Sequence, residues 1–148
     1  IAGKPWKDDF DKYQKMIDEN NLSDKIVKYI RFISDEEREL LMKACDIAVL
    51  PYEEVYQSAV LLMSMSYKMG IIVSDISAFQ EVIDQDKNGL IFKSLDPVDL
   101  GQKINILLED EALLSRLKQG SIESINSTFS WINIGLQYKK VFNLYLNS

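Results

Sequence analysis

The chain predicts an α/β fold, a doubly wound parallel sheet flanked by helices, on two observations. Short β-branched and apolar runs alternate with segments of helical period over most of the 148 residues, the mark of successive βα units. One run, Ile47-Ala48-Val49-Leu50, is apolar without alternation and is closed by Pro51, which suits a parallel strand buried on both faces.

The elements follow in order. Ile1-Ala2-Gly3-Lys4-Pro5 reads as a strand end and a loop, so an earlier part of the fold is expected upstream of Ile1. Asp8 to Asn20 reads as a helix, with Phe10, Tyr13, Met16 and Ile17 as its apolar stripe. Lys25 to Phe32 is too β-branched and too short for a helix and predicts a strand. Ser34 and Glu37 have capping-box spacing and open a helix to about Ala44.

After the strand Asp46 to Leu50, a loop over residues 51 to 56 leads to a helix from Ser58 through Met69. Gly70 is its expected stop, and Ile71 to Ser74 the next buried strand. Ser77 and Gln80 repeat the capping-box spacing and predict a short helix to about Ile83. Asp86-Lys87-Asn88-Gly89 is a turn before a strand Leu90-Ile91-Phe92. Asp96-Pro97 supplies a cap and a first-turn proline to a helix with Leu100, Ile104, Leu107 and Leu108 on one side. Two helices close the chain, Glu111 to Ile125 and one from Ser130-Trp131 whose Ile134, Tyr138, Val141, Phe142 and Tyr145 form a broad apolar face.

Bulk properties exclude several functions. A net charge of −6 with three arginines, Arg31, Arg38 and Arg116, gives no clustered basic face for nucleic acid. The longest apolar run, Ala59 to Met63, is far short of a membrane helix. The lone Cys45 rules out an internal disulfide and reads as a small buried hydrophobe in a reducing, cytoplasmic setting. Histidine is absent, which removes His-based triads and the commonest metal ligand, so proton transfer must use carboxylates, Lys, Tyr or the substrate. The length suits one compact domain over residues 1 to 148.

Ligands of open α/β sheets bind beyond the carboxyl ends of the strands, so the loops after Phe32, Leu50, Ser74 and Phe92 are the places to search. The second is the best candidate. At Gln57-Ser58-Ala59-Val60 small side chains let a ligand approach unpaired amides at the positive end of a helix, an environment suited to a diphosphate; the alternative is a tightly packed helix start.

The segment LPYEEVYQSAVLLMSMSYKMGIIVSDISAFQEVI resembles the donor-sugar segment of family 4 glycosyltransferases, retaining, nucleotide-sugar-dependent enzymes of GT-B architecture. The likeness extends to YIRFISDEERELLMKACDIAVLPY, to DKNGLIF with DPVDL, and to FSW before the last helix. It implies a Rossmann-like domain, the C-terminal, donor-binding half of such an enzyme, with the N-terminal acceptor domain lying outside these residues. It further implies transfer from a nucleotide-diphosphate sugar to a glycan or related acceptor, with no metal and no cofactor. Partners are then the nucleotide sugar and the N-terminal domain, and any membrane contact runs through that absent part. The resemblance places no catalysis in this piece alone.

Two departures accompany it. Anchored on Gly70, the family's two Glu positions, eight apart, fall at Gln57 and Met65. The resemblance implies that Gln57 faces the transferred sugar and that Met65 stands where ribose would be held, although a Met in an apolar helix is otherwise core packing. Glu81 matches a downstream Glu, but the paired glycines before it are Ser77 and Ala78, and the usual Pro is Ile72. Base contacts in the family come largely from the loop that here holds Phe32 and Ile33, which makes both candidates, although both could equally be core. The alternative is a catalytically degenerate partner or scaffold domain.

Overall fold

A computed structural model describes residues 1 to 5 and 9 to 146. They divide into two compact units, Ile1–Leu41 and Met42–Ser148, each taken on its own.

In the first unit, α1 (Asp11–Glu19) buries Ile17 and leaves Tyr13 and Met16 exposed, so the apolar stripe is narrower than expected. The Asp8 start lies outside the described residues. The expected strand from Lys25 to Phe32 is reduced to one parallel bridge, Ala2 to Tyr29. The Tyr29 amide donates to the Ile1 carbonyl and the Gly3 amide to the Tyr29 carbonyl, and the turn that returns the Arg31 amide to the Tyr29 carbonyl ends the pairing. Among the described residues that segment has no second strand neighbour, and Val27 is exposed.

The capping box at Ser34 is formed. Ser34 Oγ accepts from the Glu37 amide and Glu37 returns to the Ser34 amide, both at 3.2 Å, at the start of α2 (Asp35–Ala44). Arg31 grips the same carboxylate with two nitrogens, at 2.8 and 2.5 Å. These hydrogen bonds, Arg31's first and the Ser34 amide's second, hold Glu37 at about 2 against an ordinary value of 4.5. Because the folded value is depressed, the group's contribution to stability is whole above about 4.5 and is lost as pH falls toward about 2. A side-chain NMR titration is expected to place the Glu37 midpoint near 2, with Arg31→Ala moving it back toward the ordinary range.

The second unit carries a three-stranded parallel sheet, β1 (Ile47–Leu50), β2 (Gly70–Ser74) and β3 (Leu90–Phe92), in that spatial order. Ile47 pairs with Gly70, and Ile72 with Leu90. Helices cover both faces of β2, as alternation along a strand requires. Ile71 and Val73 join Leu61 and Met65 of α3 (Ala59–Ser66) and Phe79 of α4 (Ser77–Gln80). Ile72 points the other way, toward Leu107 of α5 (Pro97–Glu109) and Leu117 of α6 (Glu111–Ser127). The α/β class with a parallel sheet flanked by helices therefore holds. β2 is buried along its whole length, whereas β1, at one edge of this sheet, is half-buried except at Leu50.

Several local expectations need correction. α3 ends before Gly70: Lys68 takes the left-handed conformation, φ 56°, and the amides of Lys68 and Met69 return to the Met65 and Ser64 carbonyls. That is a Schellman closure with a lysine where glycine is usual. Gly70 is instead the first residue of β2, where a Cβ would come within 2.5 Å of Leu114 Cδ1. Ser77 and Gln80 form no capping box, because Ile76 is the cap and Gln80 turns to the Asp75 carbonyl. Cys45 is exposed, and so is Leu108 on α5. The apolar face of α7 (Trp131–Leu146) is largely uncovered, with no buried residue along the helix. The Asp96 cap is as expected, accepting from the amides of Val98 and Asp99.

Candidate functional site

The carboxyl ends of β1 and β2 open into two loops, residues 51 to 58 and 75 to 76. Between them lies an open concavity of 760 Å³, lined by Glu53, Glu54, Val55, Tyr56, Gln57, Ile76 and Ser77. Its place beyond the strand tips follows from the parallel order, which sends every βα loop of this sheet to the same end.

The first loop is held at its root. Tyr52 is half-buried with its ring 5.6 Å from that of Phe79, and burial raises its phenol above the ordinary value of 10.0. The buried hydroxyl of Ser74 donates to the Tyr52 carbonyl at 2.5 Å. Beyond this root Val55 packs against the core cluster, Glu53, Glu54 and Gln57 face solvent, and Tyr56 is fully exposed.

At the far end of the loop Ser58 is extended, φ −128° and ψ 103°, and its Oγ accepts from the Leu61 amide at 3.2 Å. This is the N-cap of α3. Among the described residues the amides of Ala59 and Val60 make no hydrogen bond, so two donors of the first turn stay available at the positive end of the helix. Ser58→Ala is expected to destabilise the unit by about 1 kcal/mol, read from urea unfolding midpoints.

The residues singled out in the sequence are placed as follows. Gln57 lines the concavity, and Ser58, Ala59 and Val60 follow it as cap and first turn without lining it. Met65 is fully buried in the cluster with Leu61, Ile71, Val73 and Phe79, so its side chain packs the core and reaches no ligand surface. Phe32 and Ile33 belong to the first unit. Phe32 is 75% exposed there, and Ile33 lines a small cavity of 160 Å³ with Tyr29, Glu37, Leu40 and Leu41. Glu81 is exposed at the end of α4 and lines another cleft, with Val82, Asp84 and Asn88.

Sequence reasoning pointed to the two loops but missed most of the lining: Glu53, Glu54, Val55, Tyr56, Ile76 and Ser77. Their only signal was position, directly after two apolar strands. The lining offers two carboxylate acceptors, one amide, one serine hydroxyl and one exposed phenol, and no basic side chain. The donors open to an anion are therefore the amides of Ala59 and Val60, beside the concavity and not on its wall. Among the described residues no group of three or more Asp, Glu or Cys could hold a metal ion. Among them, too, no helix is long and apolar enough to cross a membrane.

Comparison with known proteins bears on the family and the fold. The family model described as Glycosyl transferases group 1 matches residues 1–124. Over 84 residues the chain is 38% identical to the N,N'-diacetylbacillosaminyl-diphospho-undecaprenol alpha-1,3-N-acetylgalactosaminyltransferase of Campylobacter jejuni, covering 56% of this chain and 22% of that protein. It is 26% identical over 140 residues to an uncharacterized glycosyltransferase of Methanocaldococcus jannaschii, covering 95% of this chain and 38% of the relative. The chain thus spans well under half the length of these curated relatives.

Among solved structures, sucrose-phosphate synthase from Thermosynechococcus elongatus matches with a TM-score of 0.82 and 22% identity, over 99% of this chain and 38% of its own. Anabaena HepE in complex with UDP matches with a TM-score of 0.80 and 18% identity, over 90% and 36%. At these identities the likeness establishes the fold.

Proposed function

This chain belongs to the group 1 glycosyl transferases, and we propose that its residues form the donor-binding domain of an enzyme transferring a sugar from a nucleotide-diphosphate sugar to a glycan or related acceptor. The observation that carries the reading is the concavity at the tips of β1 and β2, with Gln57 on its wall and the open amides of Ala59 and Val60 next in the chain. In this reading the diphosphate lies against the first turn of α3, where the helix dipole and free N–H groups stabilise the charge that develops on the leaving group. Gln57 hydrogen-bonds a hydroxyl of the transferred sugar through its amide. Transfer with retention of configuration, without a metal, and at the cytoplasmic side belongs to the same proposal, as does an acceptor-binding domain completing the site.

Ribose recognition has no acidic side chain at Met65 to rely on, so it falls to other groups, with Glu53 and Glu54 the nearest carboxylates along the loop. A second reading, a domain of this family serving as a non-catalytic partner or scaffold, is favoured by one observation: the two positions that carry Glu in the resemblance are an amide and a fully buried thioether. Titration calorimetry with UDP and GDP separates the readings. Binding that weakens about tenfold, or 1.4 kcal/mol, in Gln57→Ala supports the donor site. Binding of neither nucleotide overturns it in favour of the scaffold.

A further inference from the structure

Ser74 and Asp75, consecutive residues at the carboxyl end of β2, tie that strand to the loops on either side. Ser74 Oγ donates to the Tyr52 carbonyl at 2.5 Å, and Asp75 Oδ1 accepts from the Ser94 amide at 2.8 Å. The central strand thus fastens the loop after β1 with one side chain and the loop after β3 with the next.

The Ser74 link has a particular placement. Tyr52 immediately precedes the wall formed by Glu53 to Gln57, and Ile76 and Ser77 of the other wall begin two residues after Ser74. Ser74 is 1% exposed, so water does not compete for its hydroxyl, and the Tyr52 ring is packed against Phe79 of α4. One buried hydroxyl therefore joins the roots of both walls. Beyond that root the first loop is held by Val55 packed against the core cluster, and the Ser74 hydroxyl supplies the hydrogen bond from β2 to its root.

We propose that Ser74 is a positioning residue of the site: without touching the ligand, its hydroxyl holds the loop after β1 at the separation from Ile76 and Ser77 that a nucleoside diphosphate requires. The proposal rests on reading the concavity as the donor site. Its physical basis is that a site works only when the residues supporting it are themselves fixed, and a small displacement of one wall weakens every contact made from it.

The test compares Ser74→Ala and Ser74→Thr with the wild-type chain in three measurements: backbone amide NMR relaxation without ligand, the urea unfolding midpoint, and calorimetric affinity for UDP and GDP. In Ser74→Ala, order parameters are expected to fall at residues 53 to 57 and to stay high in β2, with affinity about 5-fold weaker. Ser74→Thr keeps the hydroxyl and is expected to restore both. Unchanged order parameters at residues 53 to 57 overturn the proposal. So does unchanged affinity with a lowered unfolding midpoint, the signature of a merely structural hydroxyl. A wild-type chain that binds neither nucleotide overturns the donor reading itself, and this failure is told apart because the relaxation comparison needs no ligand.

Discussion

Met65→Glu, which restores an acid at the second position of the resemblance, is expected to destabilise the second unit by about 4 kcal/mol at neutral pH. Met65 is fully buried in an apolar cluster, and an unpaired carboxylate there either stays ionised at great cost or takes up a proton. A folded-state pKa raised by roughly three units corresponds to that figure at 1.36 kcal/mol per unit. The sign fixes the pH dependence. With the folded value above the unfolded one, the variant is least impaired below about pH 4.3 and loses stability as pH rises toward the raised value. Urea midpoints at pH 5 and pH 8 check this. Equal midpoints would mean that the position opens to solvent, and the burial of Met65 would no longer argue against a ribose contact.

Gly120→Ala is expected to be nearly as damaging, at about 3 kcal/mol, the upper part of the usual overpacking range. Gly120 lies inside α6, where alanine would by itself gain about 1 kcal/mol over glycine. Steric contact decides the outcome, because a Cβ would sit 1.9 Å from the Lys87 carbonyl oxygen and 3.3 Å from Asn88 Cα. That turn cannot withdraw easily. Asn88 is buried, its amide donates to the Val82 carbonyl and to Ser124 Oγ, its Oδ1 accepts from the Asp84 amide, and Ser121 Oγ donates to its carbonyl. Gly101 in α5 is the control: a Cβ there meets nothing within 4 Å, and Gly101→Ala is expected to stabilise by up to about 1 kcal/mol. Thermal or urea unfolding of the pair that moved both variants in the same direction would contradict the account.

What the sequence made legible was mainly local. The Ser34–Glu37 box and the Asp96-Pro97 helix start depend on neighbours a few residues away, and both are formed. The same four-residue spacing at Ser77 misled, because Ser77 lies inside its helix: Ile76 takes the cap position, and Gln80 reaches back to Asp75 instead. Gly70 misled differently. A glycine after an apolar helix reads as its stop, yet the chain turns at Lys68, and the glycine opens β2 where Leu114 of α6 packs close to it. Such approaches are set by residues far along the chain and leave no local mark.

The site divides in the same way. Its location beyond two strand tips was readable from topology, as was Gln57 at the end of the loop. The burial of Met65 was readable only as a packing preference. The opposing wall at Ile76 and Ser77, and the Ser74 hydroxyl beneath it, emerge only once β1 and β2 are paired.

The claim that the turn at Gln57 to Val60 receives a diphosphate is tested most directly by chemical-shift mapping of the isotope-labelled chain against UDP and GDP. The account predicts shifts concentrated at the amides of Gln57, Ala59 and Val60 and at Ser77, with β3 and α7 unmoved. Shifts centred elsewhere, or none at either nucleotide, would contradict it.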